Sequence, residues 1–269
     1  MNKIKCILLD IDFTLTGSNK EVSIETANYF SQLNNNYLIV LVSGRNTVYT
    51  MEKSISANAS PIIIADNGAV IYDYKNNQVL YKKSFDKDTI KLIWDISQKY
   101  NIDCVFNALY KRYRNKKYIN ERFIGEHGVG INQVDEISDE ITQVVIHSSN
   151  KENFTKYMEE IDKISNIEVC NGGINHDGEC FADIDIKGTS KGNAINILFQ
   201  LFNIKKEESI CFGDSKNDLT MFQSSGIKIA MKNGTDEIKQ AADYITEYSS
   251  DEDGVIKFLK NILLKMKIW

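Results

Sequence analysis

A chain of 269 residues, 42% hydrophobic and 26% charged, is long enough for one large domain or two of ordinary size and can bury a substantial core. A net charge of −5 and a pI near 5.4 exclude bulk affinity for nucleic acid or anionic membrane. They leave room for an anionic substrate, because a local cation can dominate a site.

The five cysteines form no CxxC pair and are odd in number, which suits a reduced, cytoplasmic setting. The first apolar run breaks at Asp10, too soon for a signal peptide or a membrane span. That run, Cys6-Ile-Leu-Leu9, is short and reads as a buried strand ending in Asp10-Ile-Asp12-Phe-Thr14. In an extended chain residues i and i+2 point the same way, so Asp10 and Asp12 share one space at the strand's carboxyl end. In open α/β sheets that end is where ligands bind.

Further along, helical periodicity over 21–35 leads to a second strand over 37–42, which stops at Ser43-Gly44-Arg45. A helix over 47–57 and a third strand over 61–65 follow, then Asp66-Asn67-Gly68-Ala69 and a hairpin over 70–74 and 79–81. Such alternation predicts a parallel sheet with right-handed crossovers. From about Ser84 the texture changes. Helices are expected over 88–100 and 152–164, and strands over 102–107, 110–115, 143–147, 167–171 and 180–186. From Gly188 the first rhythm resumes. Helices are expected over 190–202, 219–224, 235–241 and 255–265, and strands over 209–212, 226–230 and 244–245, with Ser190 a candidate N-cap. The expected fold is α/β, a Rossmann-like doubly wound parallel sheet with an inserted α+β unit. The core spans 1–84 and 187–269 and the insert 85–186.

Four polar clusters follow strands or open helices: Asp10-x-Asp12-x-Thr14, Ser43-Gly44-Arg45, Lys191, and Gly213-Asp214-x-x-Asn217-Asp218. Together they supply a nucleophile, a proton donor, phosphate anchors and a cation site, which is what phosphoryl transfer needs. Asp10 can attack phosphorus, Asp12 can protonate the leaving oxygen, and Ser43 with the Gly44 N–H can bind phosphate. Lys191 can neutralise the transferring group, and Asp214 with Asp10 can hold Mg²⁺. Taken singly, each has a bland reading: Ser43 caps a helix, Lys191 is solvated, and Asp214, Asn217 and Asp218 make a turn.

In this order the motifs resemble those of haloacid dehalogenase-superfamily phosphatases of the Cof-type subgroup, which carry a cap of type C2B between the second and third motifs. Asp10-Ile-Asp-Phe-Thr-Leu15 is similar to DxDGTL, Ser43 to the second motif, Lys191 to the third, and Gly213-Asp-Ser-Lys-Asn-Asp218 to GDxxND. Asn67-Gly68-Ala69 and Met231-Lys-Asn-Gly234 are further landmarks. The resemblance implies a Mg²⁺-dependent phosphomonoester hydrolase of small metabolites, most simply sugar phosphates. It implies Asp10 as nucleophile and Asp12 as acid/base with its carbonyl on the metal. Asp214 would be the other metal ligand, Asp218 would orient the metal site, and Asn217 would hold metal or phosphate. Phe13 departs from the pattern, standing where glycine is usual and where a positive φ is expected.

In the insert, Arg112, Arg114 and Lys116 are expected to share a strand face. The simpler expectation is a solvated edge that resists strand pairing; the sharper one is contact with a second anionic group. Arg45, Asn67, Arg112 and Arg114 are thus candidate substrate contacts. His127, His147 and His176 show no metal-ligand spacing. The expected partner is a small phosphorylated metabolite, with no nucleic acid or membrane, and the expected state is a monomer or weak homodimer. A non-catalytic phosphometabolite sensor or a phosphomutase on the same fold remains open.

Overall fold

The computed structural model describes residues 3–120, 127–175 and 177–266. His176 therefore lies outside the described residues. In chain order the elements are β1 (Cys6–Leu9), α1 (Ile24–Leu33), β2 (Leu38–Val42), α2 (Thr47–Ser56), β3 (Ile62–Ala65), β4 (Val70–Asp73) and β5 (Gln78–Lys82). Then come α3 (Lys87–Tyr100), β6 (Asp103–Asn107), β7 (Arg112–Asn115), β8 (Gly128–Ile131), β9 (Gln143–Ser148), α4 (Lys151–Ile161), β10 (Ile167–Ile174) and β11 (Cys180–Ile186). The chain closes with α5 (Lys191–Phe202), β12 (Ser209–Gly213), α6 (Leu219–Ser224), β13 (Ile227–Ala230), α7 (Asp236–Ala241), β14 (Tyr244–Ile245) and α8 (Gly254–Met266). It folds as two compact units, one of Met1–Arg45, Tyr49–Tyr81 and Ser190–Trp269, the other of Asn46–Val48 and Lys82–Thr189.

Among the described residues the first unit's sheet runs β14-β13-β12-β1-β2-β3-β4-β5. It is parallel from β14 to β3, and β4 turns back antiparallel on β3. Strand order reverses at β1, whose Leu9 lies opposite Leu41 on one side and Phe212 on the other. The continuous apolar run of β1 follows from burial on both faces. Ile7 and Leu9 pack with Phe30 of α1 and Leu259 of α8. Cys6 and Leu8 pack with Leu198 of α5 and Phe222 of α6. Truncating Leu9 to alanine would remove about 2–5 kcal/mol of stability from the strand that ends at Asp10. The crevice beyond the reversal is where a doubly wound sheet offers its ligand site.

The second unit's sheet runs β10-β11-β9-β6-β7-β8 among the described residues. One face is apolar: Cys104, Phe106, Val144, Ile146, Ala182 and Ile184 pack against Ile93 and Trp94 of α3 and Tyr157 of α4. Two expectations are corrected here. No strand was expected over 128–131, yet Gly128–Ile131 pairs parallel with β7. Its Gly-Val-Gly-Ile sequence carries little strand signal, because glycine packs nothing on a pleated surface. In consequence β7 is an interior strand and not the solvated edge expected for Arg112 and Arg114. β10 also extends beyond 171, through a register shift between Cys170 and Gly173. No described helix is long and apolar enough to cross a membrane.

Candidate active site

The first strand delivers Asp10 into the crevice. The Asp10 N–H donates to the Phe212 carbonyl at 3.1 Å, extending the β1–β12 ladder by one bond, and the residue is buried. Lys191 opens α5. Ser190 caps that helix, its side chain accepting from the Asn193 N–H at 3.1 Å, so the first helical side chain is set at a fixed point. The bland reading of Lys191 as a solvated lysine does not hold: it is 1% exposed, and its ammonium lies 2.6 Å from Asp10 Oδ1 and 2.6 Å from Asp218 Oδ1. Burial alone would lower its pKa; Asp10 and Asp218 outweigh burial and hold the ammonium above its ordinary range.

Asp218 is wholly buried, and its other oxygen, Oδ2, accepts from the N–H groups of Asp214 at 2.9 Å and Ser215 at 3.2 Å. It therefore folds the loop after β12 around itself. Gly213 makes room for this, since a Cβ there would stand 2.6 Å from Asp218 Oδ2. Asp214 receives the Thr14 hydroxyl on Oδ1 at 3.0 Å. Burial and then Asp218 push its carboxyl up to about 6. Asp10 is likewise raised well above the ordinary carboxylate range, first by burial, with Asp218 and Asp214 adding and Lys191 opposing.

Asp10, Asp214 and Asp218 each offer an oxygen, all within 4.8 Å of one another. One ammonium does not balance three buried carboxylates; burial first, and then the neighbouring carboxylates, raise the pKa values of Asp10 and Asp214. A hard divalent cation with oxygen ligands fits such a donor set. Asp218 already spends both oxygens on Lys191 and two backbone N–H groups, so it suits the role of support. No hydrogen bond among the described residues takes up Asp10 Oδ2 or Asp214 Oδ2.

Asp12 is partly exposed. Its Oδ2 pairs with Arg45 Nε at 2.8 Å and its Oδ1 accepts from the Tyr49 hydroxyl at 3.3 Å. Arg45, expected as a substrate contact, is thus brought onto Asp12. Tyr49 was missed; the only sequence signal is its place one helical turn after Arg45. Burial and then Asp12 push its phenol up to about 12. Ser43 is buried and its Oγ accepts from the Arg45 N–H at 3.1 Å, as a cap would, while Gly44 lies between them, half-buried. Asn67, buried, donates its N–H to the Ser43 carbonyl at 3.1 Å. Asp66, Asn67 and Gly68 all have positive φ, and a Cβ at Gly68 would stand 2.3 Å from the Ser190 carbonyl oxygen. Asn217 accepts from Ser215 Oγ at 2.8 Å, a contact within its own loop.

Phe13 adopts φ 60 and is 51% exposed, and its carbonyl accepts from Asn233 Nδ2 at 2.7 Å. In the second unit, Arg114 pairs with Asp103. Arg112 Nε donates to Asn107 Oδ1 at 3.3 Å, Asn107 Nδ2 to Gln143 Oε1 at 3.1 Å, and Gln143 Nε2 to Asp185 Oδ1 at 3.1 Å. This polar row lies on the sheet face away from α3 and α4.

The family model for haloacid dehalogenase-like hydrolases matches residues 7–259. The 5-amino-6-(5-phospho-D-ribitylamino)uracil phosphatase YcsE of Bacillus subtilis is 26% identical over 97% of this chain and 96% of its own length. A phosphoglycolate phosphatase of Thermoplasma volcanium is 24% identical over 93% and 95%. A haloacid dehalogenase-like hydrolase from Bacteroides thetaiotaomicron shares the fold with a TM-score of 0.84 over 97% of this chain and all of that one, at 23% identity. The chain belongs to the haloacid dehalogenase-like hydrolase family, and its enzyme class is that of the family's phosphatases.

Proposed function

We propose that the protein is a Mg²⁺-dependent phosphomonoester hydrolase of small phosphorylated metabolites, working through an aspartyl-phosphate on Asp10. The observation that carries this reading is the Lys191 ammonium, buried and 2.6 Å from both Asp10 and Asp218. Asp10 Oδ2 attacks phosphorus as the P–O bond to the leaving alkoxide breaks, and Asp12 gives that alkoxide its proton. Asp12 then takes a proton from the water that cleaves the phosphoenzyme, which restores the Asp10 carboxylate and the protonated Asp12 carboxyl. Lys191 offsets charge on Asp10 and the transferring group, while Ser43 and the Gly44 N–H anchor phosphate oxygens. Asp10, Asp214 and the Asp12 carbonyl would hold Mg²⁺, which supplies the positive charge that lets an anionic carboxylate meet an anionic ester.

Residues 1–84 and 187–269 act as the catalytic core and 85–186 as a specificity-bearing cap. A phosphorylated polyol or sugar is the favoured substrate class. The ribityl phosphate in the name of the Bacillus subtilis relative supports it. A cytoplasmic setting suits five free cysteines. The test is phosphate release over a panel of sugar, polyol and nucleotide monophosphates, with and without Mg²⁺, using wild type and Asp10→Asn. Mg²⁺-dependent turnover lost in a folded Asp10→Asn protein is expected; near-normal kcat in that variant would sink the covalent route.

A further inference from the structure

The two oxygens of Asp12 are not equivalent. Oδ2 faces Arg45 Nε at 2.8 Å, a group that only donates. A proton on Oδ2 would set donor against donor. Oδ1 faces the Tyr49 hydroxyl at 3.3 Å, a group that both donates and accepts. Tyr49 can therefore keep its bond to Asp12 whether the carboxyl is charged or carries a proton, by turning its O–H. Its ring is well held: it packs against the core cluster that contains Phe30 and Ile39, and the Arg45 guanidinium and Lys53 ammonium lie 5.6 and 5.5 Å from its centroid.

We propose that Tyr49 is a positioning residue for proton transfer, fixing the rotation of the Asp12 carboxyl and leaving Oδ1 as the oxygen that delivers the proton. The proposal rests on the acid/base reading of Asp12. As the Oδ1 proton turns to the leaving alkoxide, the Tyr49 O–H turns to donate to Oδ1; the alkoxide then takes the proton and the Tyr49 hydrogen bond stays on the new carboxylate. Tyr49 touches neither phosphorus nor the leaving group.

Tyr49→Phe removes the hydroxyl and keeps the ring with both cation contacts. The experiment measures kcat/KM, which reports phosphorylation of Asp10, for p-nitrophenyl, phenyl and benzyl phosphate in four proteins. These are wild type, Tyr49→Phe, Asp12→Asn and the double variant. Leaving-group basicity rises along that series, and with it the need for the proton. Tyr49→Phe should lose about tenfold with benzyl phosphate, the order of one hydrogen bond, and under about twofold with p-nitrophenyl phosphate. Asp12→Asn should show a larger loss with the same trend. The double variant should fall no further than Asp12→Asn, because Tyr49 acts through Asp12. Equal losses across the three esters, no loss at all, or full additivity would overturn the role of Tyr49 while the phosphatase stands. A flat series for Asp12→Asn would remove the acid/base reading, and a wild type inert on all three esters and on the metabolite panel would remove the hydrolase reading; either takes this proposal with it.

Discussion

The side-chain amide of Asn233 ties down the main-chain oxygen of Phe13, 2.7 Å away, and with its own oxygen accepts the Ser250 N–H at 2.8 Å. One side chain from the loop after β13 thus holds the loop after β1 in a left-handed turn. For a residue with a Cβ that turn costs roughly 1–2 kcal/mol, and a ring 51% exposed recovers little of it by packing. Asn233→Ala should therefore lower unfolding free energy by about 1–2 kcal/mol. In a Phe13→Gly background the same replacement should cost less, since glycine enters φ > 0 unaided. Urea unfolding of the four proteins gives the coupling; an equal cost in both backgrounds would separate Asn233 from the turn.

Asp214 and Asp218 lie in one buried acidic cluster yet should fail differently. Asp214→Asn keeps an acceptor for Thr14 and should leave the fold intact while weakening Mg²⁺ binding by more than the ~10–100-fold typical of supporting residues. Asp218→Ala leaves the Lys191 ammonium with Asp10 alone and two backbone N–H groups without their acceptor, and should cost about 1–3 kcal/mol of stability. Calorimetric Mg²⁺ titration beside thermal melts separates the two. A stable Asp218→Ala protein without Mg²⁺ affinity would make Asp218 a direct ligand.

His147 sits on β9 opposite Asp103 of β6 and Phe181 of β11. Burial holds its imidazole below the usual histidine range, against the pull of Asp103. As pH falls the unfolded chain takes up this proton before the folded one. The contribution of His147 is therefore complete above about pH 6.5, the unfolded value, and is lost as pH falls from there through the lowered folded pKa. Between pH 7.5 and 5.5 the thermal midpoint of wild type should drop further than that of His147→Gln. Parallel curves would exclude His147 as the source.

The clusters around Asp10, Ser43, Lys191 and Asp214 were legible in the sequence because each ends a short apolar run or opens a helix, and a doubly wound sheet gathers such ends. Lys191 was legible as chemistry but not as burial, since a helical lysine is ordinarily solvated. The links from Thr14 to Asp214 and from Tyr49 to Asp12 were not legible, because each joins segments that only the tertiary fold brings side by side. Phe13 shows the opposite balance. The position called for a positive φ, and the backbone takes φ 60 despite the side chain. The second unit was least legible where glycine supplied the strand, in Gly128–Ile131, and that gap alone turned an interior pair of arginines into an apparent edge.

The pairing of Leu9 with Phe212 has a consequence for the order in which the molecule is made. The strand bearing Asp10 is made before either of its neighbours, and one of them, β12, follows some two hundred residues later. At ~5–20 residues per second that is a wait of roughly 10–40 s. During it β1 has only β2 beside it, while the insert, complete by residue 189, can form its own sheet from local pieces. Lys191 follows Asp10 by 181 residues, so until it is made the nascent chain holds that carboxylate without its counter-charge. A premature stop before β12 would release a protein with a folded insert and a half-sheet exposing β1 as an apolar edge, a form prone to aggregation rather than to slow catalysis.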